Sequence, residues 1–185
     1  MLKKLAAALL ALLGWKALEA PDRPPKAVMI AFPHTSNWDA FYALLVKLAL
    51  GLDAHWAGKD NMFRPPFGGL LKKMGGVPVN RRERTGFVEQ MVAEFASRER
   101  FTLVIAPEGT RGLTGGWKSG FYRMAVAAQV PVALGFMDYA RREGGILAYL
   151  TLTGDRDADL ATIARLYADR PGKRPELASP IRWLD

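Results

Sequence analysis

Three nearly continuous apolar runs, Ala27 to Phe32, Phe101 to Ala106 and Val130 to Met137, constrain the fold more than any other feature of this chain. A strand covered on both faces reads as such a run, whereas a strand with one wet face alternates. Between the runs lie segments with helical spacing. Trp38 to Leu50 is apolar nearly all round, so its helix belongs inside the domain or under lipid. Phe87, Val88, Met91, Val92 and Phe95 form one stripe, Phe121 to Gln129 another helix, and Leu160, Ile163, Ala164 and Tyr167 a last one. Weaker strands are expected at Ala54 to Ala57, at Val77 to Asn80 with Pro78 marking an edge, and at Ile146 to Thr151. The alternation predicts an α/β fold, a single domain with a mixed, mainly parallel sheet flanked by helices. Beyond Pro171 the polar, proline-rich tail is expected to wrap the surface.

With 185 residues, half of them hydrophobic, one full core fits and two do not. Cysteine is absent, which excludes thiol nucleophiles, disulfides and zinc thiolate sites. A net charge of +8 calls for an anionic partner. Nucleic acid, an acidic membrane surface and phosphorylated substrates all satisfy it, although no nucleic-acid motif accompanies the charge and none is expected to bind. His55 reads as a strand histidine, without the companions of a metal ligand, so no metal site is expected.

The first 20 residues are expected to form an amphipathic helix lying in a membrane plane, ahead of a domain spanning 26–185. Leu5 to Trp15 carries no charge, yet is shorter than the about 20 residues that cross a bilayer. Lys3, Lys4 and Lys16 would meet lipid phosphates, with Trp15 at headgroup level. A helix packed on the protein's own core stays open as the alternative. Leu18-Glu19-Ala20 is a poor signal-peptide cleavage site, and Pro21, Pro24 and Pro25 read as a stiff linker. The mixed aromatic, apolar and basic stretch from Met62 to Gly76 suits a membrane interface or an acyl-chain groove, or else a loop on the core.

Polar clusters follow the strands. In Pro33-His34-Thr35-Ser36-Asn37-Trp38-Asp39, His34 stands where a strand hands over to a helix and Asp39 falls in the first helical turn. With Ser36 as N-cap, the carboxylate can fold back onto one imidazole nitrogen while the other takes a proton from a hydroxyl. Ser36-x-x-Asp39 is equally a capping box. A parallel sheet brings the ends of successive strands to one edge, so His34 and Asp39 would share it with Asn80, Arg81, Glu108, Gly109, Thr110 and Arg111. Arginines there match phosphate oxygens in pairs, and the amides of Glu108 to Thr110 form a candidate anion nest.

His34-Thr-Ser-Asn-Trp-Asp39, Gly76-Val-Pro-Val-Asn-Arg81, Pro107-Glu-Gly-Thr-Arg111 and Val130-Pro-Val132 stand in the order and spacing of four motifs of the glycerophospholipid acyltransferases. The chain resembles that family, which includes the 1-acylglycerol-3-phosphate acyltransferases, from about Ala27 to Met137. The resemblance implies transfer of a fatty acyl group from acyl-CoA or acyl carrier protein to a lysophospholipid hydroxyl, without a further cofactor. It makes His34 the catalytic base and Asp39 its partner. It makes Arg81, Glu108, Gly109, Thr110 and Arg111 the binders of the acceptor, and Val130, Pro131 and Val132 the acyl-donor side. Asn80 and Gly112 depart from the family pattern, where an acidic residue and a serine are common, and both positions touch the acceptor site. A short chain of this family implies a minimal domain, peripheral on the cytoplasmic face of the inner membrane. No Gly-x-Ser-x-Gly elbow occurs, so direct attack is expected rather than a serine ester. Oxyanion donors are sought at the start of the Trp38 helix or in the Glu108 turn. A thioesterase using the same dyad and a non-catalytic binder of anionic lipid remain as other readings.

Overall fold

In the computed structural model, which describes residues 1–79 and 86–185, strands and helices alternate as the apolar runs predict. In chain order they are α1 (Leu2–Leu12), β1 (Lys16–Glu19), β2 (Lys26–Ala31), α2 (Trp38–Leu50), β3 (Ala54–Lys59), α3 (Gly68–Lys73), β4 (Gly76–Val79), α4 (Gly86–Ser97), β5 (Phe101–Ile105), α5 (Gly120–Ala128), β6 (Val132–Asp138), β7 (Glu143–Leu150) and α6 (Arg156–Tyr167). Short 3-10 turns occupy Asp60–Phe63 and Pro175–Leu177. The strands form one sheet in the order β1-β7-β6-β2-β5-β3-β4. Every pairing in it is parallel except that of β6 with β7. The single-domain α/β architecture with a mainly parallel sheet is therefore the one expected.

Alternation along β2 explains its unbroken apolar run. Val28 and Ile30 enter a large core with Phe101, Leu103 and Leu134, covered by Met91 and Phe95 of α4, Phe121 and Met124 of α5, and Leu160 and Ile163 of α6. Ala27 and Met29 face the other way, with Ala133 and Ile146. On that second face the sheet carries mostly small or slender residues, including Ala31, Gly135 and Gly145, and α2 crosses over it. Bulky side chains fill one side; the other keeps a space beneath α2. Ile30 lies opposite both Ile105 and Leu134, so the chain leaves β2 and β5 at one level of the same edge. β4 is an edge strand, which is where Pro78, lacking an N–H, is tolerated.

The amino terminus departs from the expected helix over residues 1–20. Gly14, in the left-handed region with φ +75°, turns the chain after α1, and Lys16–Glu19 then pair with β7 as an edge strand. Trp15 is not available to a headgroup layer. It is buried, stacked on Tyr42 at 4.1 Å between ring centres and edge-on to Tyr139 at 5.0 Å. Burial there gives the ring its apolar contacts and two aromatic partners. α1 packs one face on the protein's own core, with Ala6 and Leu10 against Leu45, Val46 and Ala49 of α2, while Leu2, Leu5 and Leu12 are exposed. α2 is likewise covered on one side only, leaving Trp38, Phe41 and Leu44 open. No described helix is long and apolar enough to cross a membrane. The carboxyl-terminal tail wraps the surface, with Trp183 stacked on Phe121 at 5.8 Å.

Candidate active site

The turn between β2 and α2 is held by one carboxylate. Asp39, in the first turn of α2, accepts hydrogen bonds at Oδ2 from the amides of Thr35 and Ser36, both at 2.9 Å, and pairs with His34 Nδ1 at 3.2 Å. Its other oxygen accepts from the Tyr139 hydroxyl at 2.7 Å. Asp39 Oδ2 thus makes one half of the expected capping box, accepting from Ser36 N, and the same oxygen faces His34 Nδ1. The helix itself starts after Asn37 rather than after Ser36, since Asp39 takes the Ser36 amide and Ser36 Oγ accepts from Trp38 N at 3.2 Å. Burial pushes the Asp39 carboxyl upward, but hydrogen bonds from His34, Tyr139 and Ser36 outweigh it and hold the group below the usual carboxylate range. Burial, then the bond to Asp39, push the Tyr139 hydroxyl well above its ordinary value, so it stays a donor. With Nδ1 facing a carboxylate, the favoured tautomer leaves Nε2 unprotonated and able to take a proton.

Glu108, after β5, departs from its expected place among the substrate binders. Its side chain is only 2 % exposed and turns inward, accepting from His34 N at 3.1 Å and from Ser179 N at 2.9 Å. It fixes the backbone of the base, and both of its oxygens are taken. Gly109, Thr110 and Arg111 face outward. Gly109 has φ +69°, and Lys118 brings its ammonium to 3.2 Å from where a Cβ would stand there. Arg81 lies outside the described residues. The anion nest is narrower than expected, because Gly109 N donates to Ala106 O at 3.0 Å. Among the described residues no acceptor faces the amides of Thr110 and Arg111. Candidate oxyanion donors at the start of α2 are similarly reduced, since the Thr35, Ser36 and Trp38 amides already have acceptors.

Val130, Pro131 and Val132 are not brought to this site. Val132 begins β6 opposite Val28, six positions before His34 on the neighbouring strand. At about 3.3 Å per residue the two motifs sit at opposite edges of a parallel sheet. What reaches the His34 edge from β6 is its other end, which carries Tyr139.

Beneath α2 a cavity of about 760 Å³ starts at Phe32, Pro33 and His34 and continues past Met29, Gly135 and Leu52 to His55 and Trp56. Its lining is almost wholly apolar; Asp39, Lys47 and His55 are its ionisable exceptions besides His34. Phe41, Leu44 and Met74 border it and are also 41 %, 42 % and 44 % exposed, so its rim opens onto an apolar surface. Among the described residues no cluster of three or more carboxylates or imidazoles is set to hold a metal ion.

Sequence reasoning missed Tyr139, Lys118 and Ser179. The strand-end rule that found His34 reaches Tyr139 too, one residue beyond β6, but a tyrosine after an apolar run carries no motif. The Ser179 contact spans 71 residues and leaves no local sign.

No curated protein sequence matches the chain significantly. In structure it is similar to the 1-acyl-sn-glycerophosphate (LPA) acyltransferase PlsC from Thermotoga maritima, with a TM-score of 0.59, 14 % identity, and coverage of 93 % of this chain and 80 % of that one. At such identity the likeness speaks for the fold. The family model described as Acyltransferase matches residues 19–133, more than half of the sequence, and includes both the His34 turn and the Glu108 turn. By that match the chain belongs to the Acyltransferase family.

Proposed function

We propose that this acyltransferase moves a fatty acyl group from an acyl thioester to the free hydroxyl of a lysophospholipid such as 1-acylglycerol-3-phosphate. One observation carries the reading: an imidazole paired with a buried carboxylate at 3.2 Å lines an apolar cavity of about 760 Å³. His34 Nε2 takes the proton of the acceptor hydroxyl as its oxygen attacks the thioester carbonyl carbon. Asp39 steadies the imidazolium so formed. The tetrahedral intermediate then expels the thiolate, which recovers the proton from His34, and the ester is released. The cavity supports an apolar acyl chain along β2, β5 and β6 with its reacting carbonyl at the His34 end. The exposed Arg111 is the binder of the acceptor's phosphate, together with Thr110 and the undescribed Arg81, while Gly109 shapes the turn that presents Thr110 and Arg111.

The donor is acyl-CoA or acyl carrier protein, and the site of action is a membrane surface on the cytoplasmic face of the inner membrane. The exposed leucines of α1, the open face of α2 and the apolar rim of the cavity support peripheral attachment, with Lys3 and Lys4 toward anionic headgroups. The test is product analysis. Purified protein, an acyl-CoA and lysophosphatidic acid in vesicles are expected to yield a two-chain phospholipid. Free fatty acid as the sole product, with or without acceptor, would replace transfer by thioester hydrolysis. No turnover in any combination would leave only lipid binding.

A further inference from the structure

We propose that Lys173, on the carboxyl-terminal strap, is a second phosphate-recognition residue beside His34; the proposal builds on the acyl-transfer reading above. The main chain on either side of Lys173 is fastened to the loop that bears the base. Gly172 is buried so tightly that a Cβ there would meet Thr35 Oγ1 at 2.9 Å and Pro33 Cβ at 3.0 Å. The Arg174 amide donates to the same Thr35 Oγ1 at 3.2 Å, and farther along the strap Ser179 N reaches Glu108. The lysine is therefore not a loose tail cation. Its Nζ stands 5.0 Å from the centre of the Trp38 ring and 5.7 Å from that of Tyr139. Trp38 directly precedes Asp39, and Tyr139 donates to it.

Three carboxylates near the strap already have partners, and Glu176 on the strap itself pairs with no cation among the described residues. Asp138 is paired with Arg141 and Arg170, Glu143 with Arg170, and Asp169 with Arg141. Among the described residues Lys173 pairs with no carboxylate, and an exposed ammonium over aromatic faces is held weakly enough to turn toward an incoming dianion. Position completes the case. β2 lies between β6 and β5, so Lys173, over Tyr139, marks one flank of His34, while Arg111 and Lys118 follow β5 on the other. Acyl transfer between a phosphorylated carrier and a phosphorylated acceptor brings two phosphate-bearing substrates to one site, the carrier's phosphate set off from its thioester by the pantetheine arm. Two separated cationic points match that demand.

The shared chemistry is a phosphate ester, from the lipid headgroup or from the carrier, and binding without turnover separates the two. Calorimetric titration of the full chain with lysophosphatidic acid, and separately with CoA lacking an acyl group, is compared for wild type, Lys173→Ala and Lys173→Arg. Lys173→Ala is expected to weaken one of the two ligands about tenfold, with the same ligand's KM rising in turnover, and Lys173→Arg to retain most of the affinity. The ligand affected names the source of the phosphate. Unchanged affinity for both, no measurable binding by wild type, or an equal loss for both with a lowered melting temperature overturns the proposal. Wild type that binds through Lys173 yet transfers nothing removes the acyl-transfer reading alone; full transfer with binding indifferent to Lys173 removes this one alone.

Discussion

The turns that follow β2 and β5 sit side by side at one sheet edge and dispose of their polar groups in opposite ways. In the first, the amides of His34, Thr35, Ser36 and Trp38 all find acceptors within the protein, and Asp39 is saturated by donors from three directions. The second is divided: Glu108 turns inward to hold the first turn and Gly109 N is taken by Ala106 O, whereas Thr110 and Arg111 stay open. A saturated lattice fixes the one nitrogen that must move a proton; an open turn leaves its groups for a substrate. Damage to the first turn should therefore appear in kcat, and damage to the open part of the second in KM.

His34→Ala tests the first half most severely. Turnover should fall at least about a thousandfold, the upper part of the range for a lost general base. The fold should survive, because the ring is partly exposed and the turn's amides do not depend on it. Circular dichroism and product formation check this together, and a folded variant with wild-type rates would remove the base from its role. Glu108→Ala asks on which side that residue belongs. It strands two amides, those of His34 and Ser179, and the loss should cost about 2–3 kcal/mol, or roughly 5–10 °C in melting temperature for a chain of this size. kcat should fall with it. If only the acceptor's KM rose, at an unchanged melting temperature, Glu108 would be a binder after all.

Arg111→Ala is the counterpart on the open turn. The acceptor's KM should rise about tenfold, the effect of one lost charge-assisted contact, while the melting temperature stays put. A shift in the donor's KM instead would exchange the two substrates between the flanks of His34.

The central strands and the polar turns after β2 and β5 were legible in sequence because their causes are local. An unbroken apolar run means burial on both faces, and His34 and Asp39 are five residues apart. β1 was not legible: Lys16-Ala-Leu-Glu19 has no strand pattern, and only pairing with β7, far along the chain, makes it a strand. Trp15 misled for the same reason, since its partners Tyr42 and Tyr139 are distant in sequence. Glu108 was placed at the right edge with the wrong orientation. Strand order decides which edge a residue reaches, but the inward turn of its side chain depends on a strap that arrives 71 residues later. The Val130 motif stands at the opposite end of β6 from the His34 edge, as the start of one parallel strand cannot meet the end of its neighbour.

Tyr139→Phe should give the smallest effect and sharpen the account of the first turn. It removes one donor from Asp39, worth about 1 kcal/mol, or roughly fivefold in turnover. Its sign with pH is fixed by linkage. Asp39 is held below the usual carboxylate range despite burial, so its contribution to stability is present above the unfolded value of about 4 and is lost as pH falls through the depressed folded value. Without the tyrosine hydroxyl the folded value rises toward the unfolded one, so the loss in acid is smaller and complete at a higher pH, and the variant's melting temperatures should converge on those of wild type as pH falls below about 4. The alkaline limb should move as well: the folded hydroxyl titrates well above its unfolded value of about 10, so wild type loses stability through this group as pH rises past that value and the phenylalanine variant does not. Melting temperatures of both proteins across the acid range decide it. Curves displaced by a constant amount at every pH would mean that the hydroxyl only fills space and that the two amides and His34 hold Asp39 without it.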